Sequence, residues 1–101
     1  MLVEQIEHSR RNREFNLSQW RLRAIQIETM IAQFNQICTD LTQQIKDEEA
    51  RVRIFDQAHF AYPTYAKAAR ERREKIERST GALKAELDKL QSKLLGAVQA
   101  A

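Results

Sequence analysis

Glycine and proline are nearly missing from these 101 residues: Gly81, Gly96 and Pro63 are the whole supply. A sheet protein needs a turn every ten residues or so, and turns draw on those residues, so a β fold is not expected. Two isolated glycines cannot build a glycine-rich phosphate loop. Cysteine occurs once, as Cys38, which leaves no internal disulfide and suits a reducing compartment. The opening stretch MLVEQIEHSRRNR contains acidic residues and no useful apolar run, so it does not read as a signal peptide. No segment approaches the roughly 20 apolar residues of a membrane span. The expectation is a soluble protein of the cell interior.

What remains is helix-forming. The chain is rich in Ala, Glu, Lys, Leu, Arg and Gln, and 31% of it is charged. That mixture belongs to long helices and coiled coils. A helical rod has little core per residue and no deep pocket. An enzyme is therefore not expected, nor a cofactor, metal or small-molecule site. His8, His59 and Cys38 share no metal-ligand spacing, and no spacing pairs a nucleophile with a base.

The apolar pattern is regular. Leu17, Trp20, Ala24, Ile27, Ile31, Phe34, Cys38, Leu41, Ile45, Glu48, Val52 and Phe55 step by three and four without a break. A second series follows: Tyr62, Ala66, Ala69, Arg73, Ile76, Thr80, Leu83, Leu87, Leu90, Leu94 and Ala97. Such a heptad frame specifies a left-handed coiled-coil seam. The helix over 17–55 would be roughly 58 Å long. Alanines open the second seam and leucines close it, so the helices approach most closely at the alanine end. Cys38, on the first seam, is expected to act as a small buried hydrophobe.

Pro63 suits a first helical turn and pushes Tyr62 toward an extended backbone. The connection is placed at 56–62, with helix two starting near Pro63. A link that short makes the helices antiparallel neighbours. The predicted fold is thus an all-α, antiparallel two-helix coiled-coil hairpin, turning near 56–63. Facing residues then have a constant index sum. A sum of 121 joins seam to seam throughout, from Phe55–Ala66 to Ala24–Ala97, and pairs the two charged seam residues, Glu48 and Arg73, as a register-setting layer. Sums near 117 also join seam positions. Gly81 either caps a new helix or is carried through one; the unbroken heptad favours the latter. With Trp20 facing Ala101, residues 1–16 overhang the hairpin, which occupies 17–101. Val3 and Ile6 keep the heptad phase in that overhang, but Arg10 and Arg13 take the next seam positions. The overhang is expected to be frayed or ordered by a partner.

The run KAARERREKIER, residues 67–78, has six basic and three acidic residues and so carries the entire net charge of +3. Glu71–Lys75 and Glu74–Arg78 are spaced for ion pairs on a solvated face. An acidic protein is the other candidate for that face, which includes Arg70 and Arg72. Nucleic acid is not expected, since no aromatics interleave with the charges. Met30 and Ile37 flank the seam, with Leu22, Ile25, Ile54 and Leu95 further out; grouped, they would bind a third helix or a second copy. His59, in the turn, is placed to cap or to stack.

Three stretches resemble a known family: IETMIAQF at 27–34, DEEARV at 47–52, and above all DQAHFAYPTYAKAARERRE at 56–74. They are similar to the FliJ family of flagellar type III export proteins, in particular its alphaproteobacterial branch, over about residues 20–95. The resemblance implies a cytoplasmic coiled-coil stalk at the inner membrane. Its terminal end would enter a hexameric export ATPase and its projecting part would contact the export gate, with substrate chaperones as further partners. On that reading His59, Phe60, Tyr62 and Tyr65 are aromatic anchors for the gate, while Arg10, Arg11 and Arg13 serve the ATPase. The alternative is a generic scaffold that dimerises through Met30 and Ile37 into a four-helix bundle.

Overall fold

The computed structural model describes residues 2–100. Two helices account for nearly all of them: α1, Leu2–Val52, of 51 residues, and α2, Thr64–Ala100, of 37 residues. They lie side by side as a hairpin measuring 76 × 18 × 17 Å. At about 1.5 Å per residue α1 alone spans the long axis. No glycine or proline falls within it to interrupt the backbone hydrogen bonds. No helix of the described residues is long and apolar enough to cross a membrane.

The two seams form the contact. Every predicted seam position but Phe55 is buried or half-buried. The most enclosed are Ile27, Ile45 and Ala66, with Leu41, Ala69 and Leu90 close behind. Leu41, Ile45 and Ala69 make one core cluster, and Ile37 and Ile76 pack against it. Cys38 is half-buried on the seam, where desolvation and then Glu77 push its thiol upward, opposed by Arg73. Thr80 is buried too, and its hydroxyl donates to the Ile76 carbonyl at 2.9 Å, so the polar atom is satisfied within its own helix. α2 runs unbroken through Gly81; a Cβ there would meet nothing within 4 Å, so the glycine answers no steric demand.

The alignment differs from the predicted one. Contacts across the hairpin join Trp20 to Lys93, Thr42 to Arg73, Arg23 to Glu86 and Glu49 to Arg70. Their index sums are 113, 115, 109 and 119, centred near 114 rather than 121. The difference is one heptad. A slip of seven residues returns seam to seam, so the apolar pattern is indifferent to it. The Glu48–Arg73 pair is the casualty. Glu48 bonds instead to Arg51 one turn on, with the Arg51 Nε at 3.1 Å. Arg73 donates to the Thr42 hydroxyl at 3.0 Å and lies 3.8 Å from Glu77. The predicted meeting of Trp20 with Ala101 lies outside the described residues.

The hairpin turn starts earlier than the heptad implied. α1 stops at Val52 because Arg53 takes a left-handed backbone, φ 58°. The chain leaves the helical phase there, which half-buries Ile54 and turns Phe55 out, 65% exposed. The predicted Phe55–Ala66 layer therefore does not form. Pro63 heads α2, and its carbonyl accepts the Lys67 N–H at 3.0 Å, the first bond of that helix. At the other end the 1–16 segment is helical from Leu2 onward. Leu2, Val3 and Ile6 are exposed there, since α2 at this alignment reaches only about residue 14, and Phe15 is exposed because it lies off the seam.

Left-handed geometry is unfavourable for a residue with a Cβ and suits glycine. Arg53→Gly is expected to raise stability by about 0.5–1 kcal/mol, or a few degrees in Tm, and Arg53→Val to lower it. Thermal melting followed by circular dichroism checks both.

Candidate functional site: the hairpin tip

The tip is built from the turn and the first turn of α2. Two backbone bonds shape it: His59 N–H to the Asp56 carbonyl at 3.1 Å, and Tyr62 N–H to the His59 carbonyl at 3.0 Å. Two side chains repeat a second device. The Asp56 carboxylate accepts the Ala58 N–H at 2.9 Å, and the His59 Nδ1 accepts the Ala61 N–H at 3.0 Å. Each is a side chain capturing the amide two residues on, as in an Asx turn. The His59 ring also stacks on Phe60, with centroids 4.7 Å apart and planes 22° off parallel. His59 thus both caps and stacks. Phe60 stands out at 95% exposure, with Phe55 and Tyr65 also exposed nearby. Tyr65 is steadied by donating its hydroxyl to Gln44 at 2.9 Å.

Tyr62 points the other way. Its hydroxyl donates to Glu49 at 3.2 Å and accepts from the Arg70 Nε at 2.8 Å. Arg70 closes the triangle through Nη2 to Glu49 at 3.2 Å. The Glu49 side chain is only 8% exposed and that of Arg70 24%. The Arg70 guanidinium is held above its ordinary value, by its bond to Tyr62 first and by Glu49 against the desolvation. So of the expected anchors, His59, Phe60 and Tyr65 sit on the tip surface, whereas Tyr62 is a tether between the turn and both helices. Arg70 belongs to that tether and is not a free docking cation. Arg72, two residues on and on the opposite side of the helix, is exposed.

The basic residues expected at the opposite end do lie there. Arg10 is 4.0 Å from Glu14 and Arg11 3.7 Å from Glu7, both exposed pairs along α1. Arg10 and Arg13 border an open cleft of about 390 Å³ whose floor is Leu17, Trp20 and Ala97. Lys93 lies 5.8 Å over the Trp20 ring. On the 67–78 face the ion pair that forms is Arg73–Glu77, not Glu71–Lys75 or Glu74–Arg78.

Sequence reading missed Glu49. Its signal was indirect: it flanks the seam beside the alanine layers Ala66 and Ala69, where close helix approach buries flanking positions as well. Phe55 was missed as a surface aromatic because the heptad assigned it to the core. The Arg23–Glu86 pair, bonded through both carboxylate oxygens at 3.0 and 3.1 Å, had no heptad signature.

Compared with protein-family models, with curated proteins and with solved structures, the chain matches none of them.

Removing one partner of a buried charge pair leaves the other unpaired. Arg70→Ala is expected to cost about 2–3 kcal/mol, below the range for a fully buried pair because Arg70 is partly exposed. Glu49→Leu with Arg70→Leu should recover most of that loss. Chemical denaturation of the three proteins tests the ordering. A second prediction concerns pH. Bonds from Arg23 hold Glu86 below the usual carboxylate range, against desolvation and aided by the Arg23 charge. Arg51 does the same for Glu48. Folded values below the unfolded ones add stability above the ordinary carboxylate range, lost as pH falls through the folded values. Tm should be level from neutral pH to about 5 and decline below about 4, and Glu86→Gln should make that decline shallower.

Proposed function

We propose that the chain is a coupling stalk of the flagellar type III export apparatus, as the resemblance of residues 56–74 to the FliJ family implies. It works by binding, with no catalytic step. The observation that carries this reading is the hairpin tip. A rod 76 Å long ends in a turn whose aromatic side chain Phe60 is 95% exposed while its backbone is pinned by four hydrogen bonds. An ordered aromatic knob is suited to an apolar pocket because little conformational freedom remains to be lost on docking. The pocket is assigned to the cytoplasmic domain of the export gate. Arg10, Arg11 and Arg13, at the far end, are assigned to the hexameric export ATPase, with substrate chaperones as additional partners. The site of action on this reading is the cytoplasmic face of the inner membrane.

The scaffold alternative draws less support. Ile37, which would build a four-helix bundle, packs on the hairpin's own core cluster, and Met30 is half-buried. A monomeric rod at micromolar concentration in sedimentation favours the stalk; a stable dimer favours the scaffold.

Pull-down with the ATPase and with the gate's cytoplasmic domain tests the assignment. Phe60→Ser should weaken gate binding at least tenfold and leave ATPase binding intact. Arg10→Glu with Arg13→Glu should do the reverse. Capture of neither partner by the wild-type chain defeats the proposal.

A further inference from the structure

The Ala61 amide can only donate, so the His59 nitrogen that receives its hydrogen must carry none. The 3.0 Å contact to Nδ1 therefore requires the neutral ring with its proton on Nε2. A protonated imidazole has a hydrogen on both nitrogens and would set two donors against each other. We infer that His59 is a proton-sensitive latch of the tip: neutral, it holds Ala61 and with it the Phe60 knob; protonated, it releases them. Histidine is the side chain whose charge ordinarily changes between about pH 5 and 8.

The polar groups of the tip are already engaged with one another. Its imidazole bonds to no charged side chain among the described residues. Asp56, three residues back, has its carboxylate on the Ala58 amide. From the helices, Glu49 and Arg70 are engaged with each other and with Tyr62. Gln44 is taken by Tyr65. The latch also has an internal reference in Asp56, which makes the same kind of contact through a carboxylate oxygen instead of a ring nitrogen. Protonation adds a positive charge to a ring lying against the Phe60 face, so the stack itself need not break. What is lost is one of the two bonds that span Phe60; the Tyr62 N–H to the His59 carbonyl remains, so the knob is loosened at Ala61. Both the docking residue and its orientation then depend on proton activity.

The latch rests on the turn alone; its effect on docking rests on the gate-binding role proposed above. His59→Asn supplies the discriminating variant. An asparagine side-chain oxygen accepts the amide two residues on and does not titrate. In nuclear magnetic resonance spectra of the full chain from about pH 8 to 5, the Ala61 amide should shift with the same midpoint as the His59 ring, and its protection from exchange, relative to the intrinsic rate at each pH, should fall severalfold at the acid end. In His59→Asn it should show no midpoint. His8, the other histidine, lies on α1 toward the opposite end of the rod, so the two rings are separable. An Ala61 amide that stays flat while the ring titrates, or a midpoint that survives in His59→Asn, overturns the latch. With the gate's cytoplasmic domain as probe, binding should weaken severalfold on acidification for the wild type and not for the variant; equal pH dependence in both overturns the coupling. Absence of gate binding at every pH would defeat the gate assignment, and the Ala61 titration would still decide the latch.

Discussion

The buried carboxylate of Glu49 is the group on which the alignment of the hairpin depends. Apolar burial along the seams supplies the drive for the helices to pair, but it is blind to a slip of one heptad. Leu, Ile and Ala meet one another in either alignment. A carboxylate enclosed between two helices is different, because it is tolerated only where donors reach it. Arg70 and the Tyr62 hydroxyl reach it in the observed alignment. Slipping α2 would move both away by about 10 Å, the rise of seven helical residues. The alanines at positions 66 and 69 let the backbones approach closely enough for the triangle to close. Small core residues and the charged lock are thus one feature: the first creates the enclosure and the second makes it specific.

The same triangle orders the tip. Tyr62 is the last residue before Pro63, and its hydroxyl is fastened to both helices. The turn is therefore anchored where it enters α2 and released from α1 by the left-handed Arg53. Between those points the chain has only the eight residues 54–61 in which to reverse. The amides of Ala58, His59, Ala61 and Tyr62 are satisfied locally, by two backbone bonds and two side-chain acceptors. A consequence is that the apolar groups of the turn have no interior to enter. Phe55 and Phe60 face outward because the backbone that carries them is already committed elsewhere.

Much of this was legible in the sequence. The seam positions, the helix start at Pro63, the continuous passage through Gly81 and the dual part of His59 all follow from periodicity and side-chain chemistry. The misreadings share a physical origin. Phe55 fits the seam because a heptad extends as far as residues fit it, whereas the helix ends three residues earlier through a backbone angle that no apolar pattern encodes. Glu48 was matched to Arg73 because both interrupt a seam. A seam charge, however, can turn to a neighbour on its own helix, as both do. The enclosed charge lies one residue on, at a flank, and flank burial depends on helix separation, a quantity set by the partner's alanines and invisible from either helix alone.

The rod is consequently unequal along its length. Near the tip, small layers bring the helices close and the polar contacts are enclosed. Toward the other end the second seam is made of leucines, which need more room than alanines. There the contacts are Arg23–Glu86, with side chains more than two-fifths exposed, and the open Lys93–Trp20 pair. Exposed charge pairs are screened by salt and hold little against fluctuation. Beyond them α1 continues with exposed seam positions and only exposed ion pairs of its own. Opening should therefore begin at that end and travel toward the turn, since local stability follows enclosed contacts. For the stalk proposed above, with its two proposed partners, the asymmetry implies two manners of binding. The tip presents a pre-ordered knob, which favours a partner with a matching pocket. The basic end can adjust its helix to the partner, which favours a surface recognised mainly by charge.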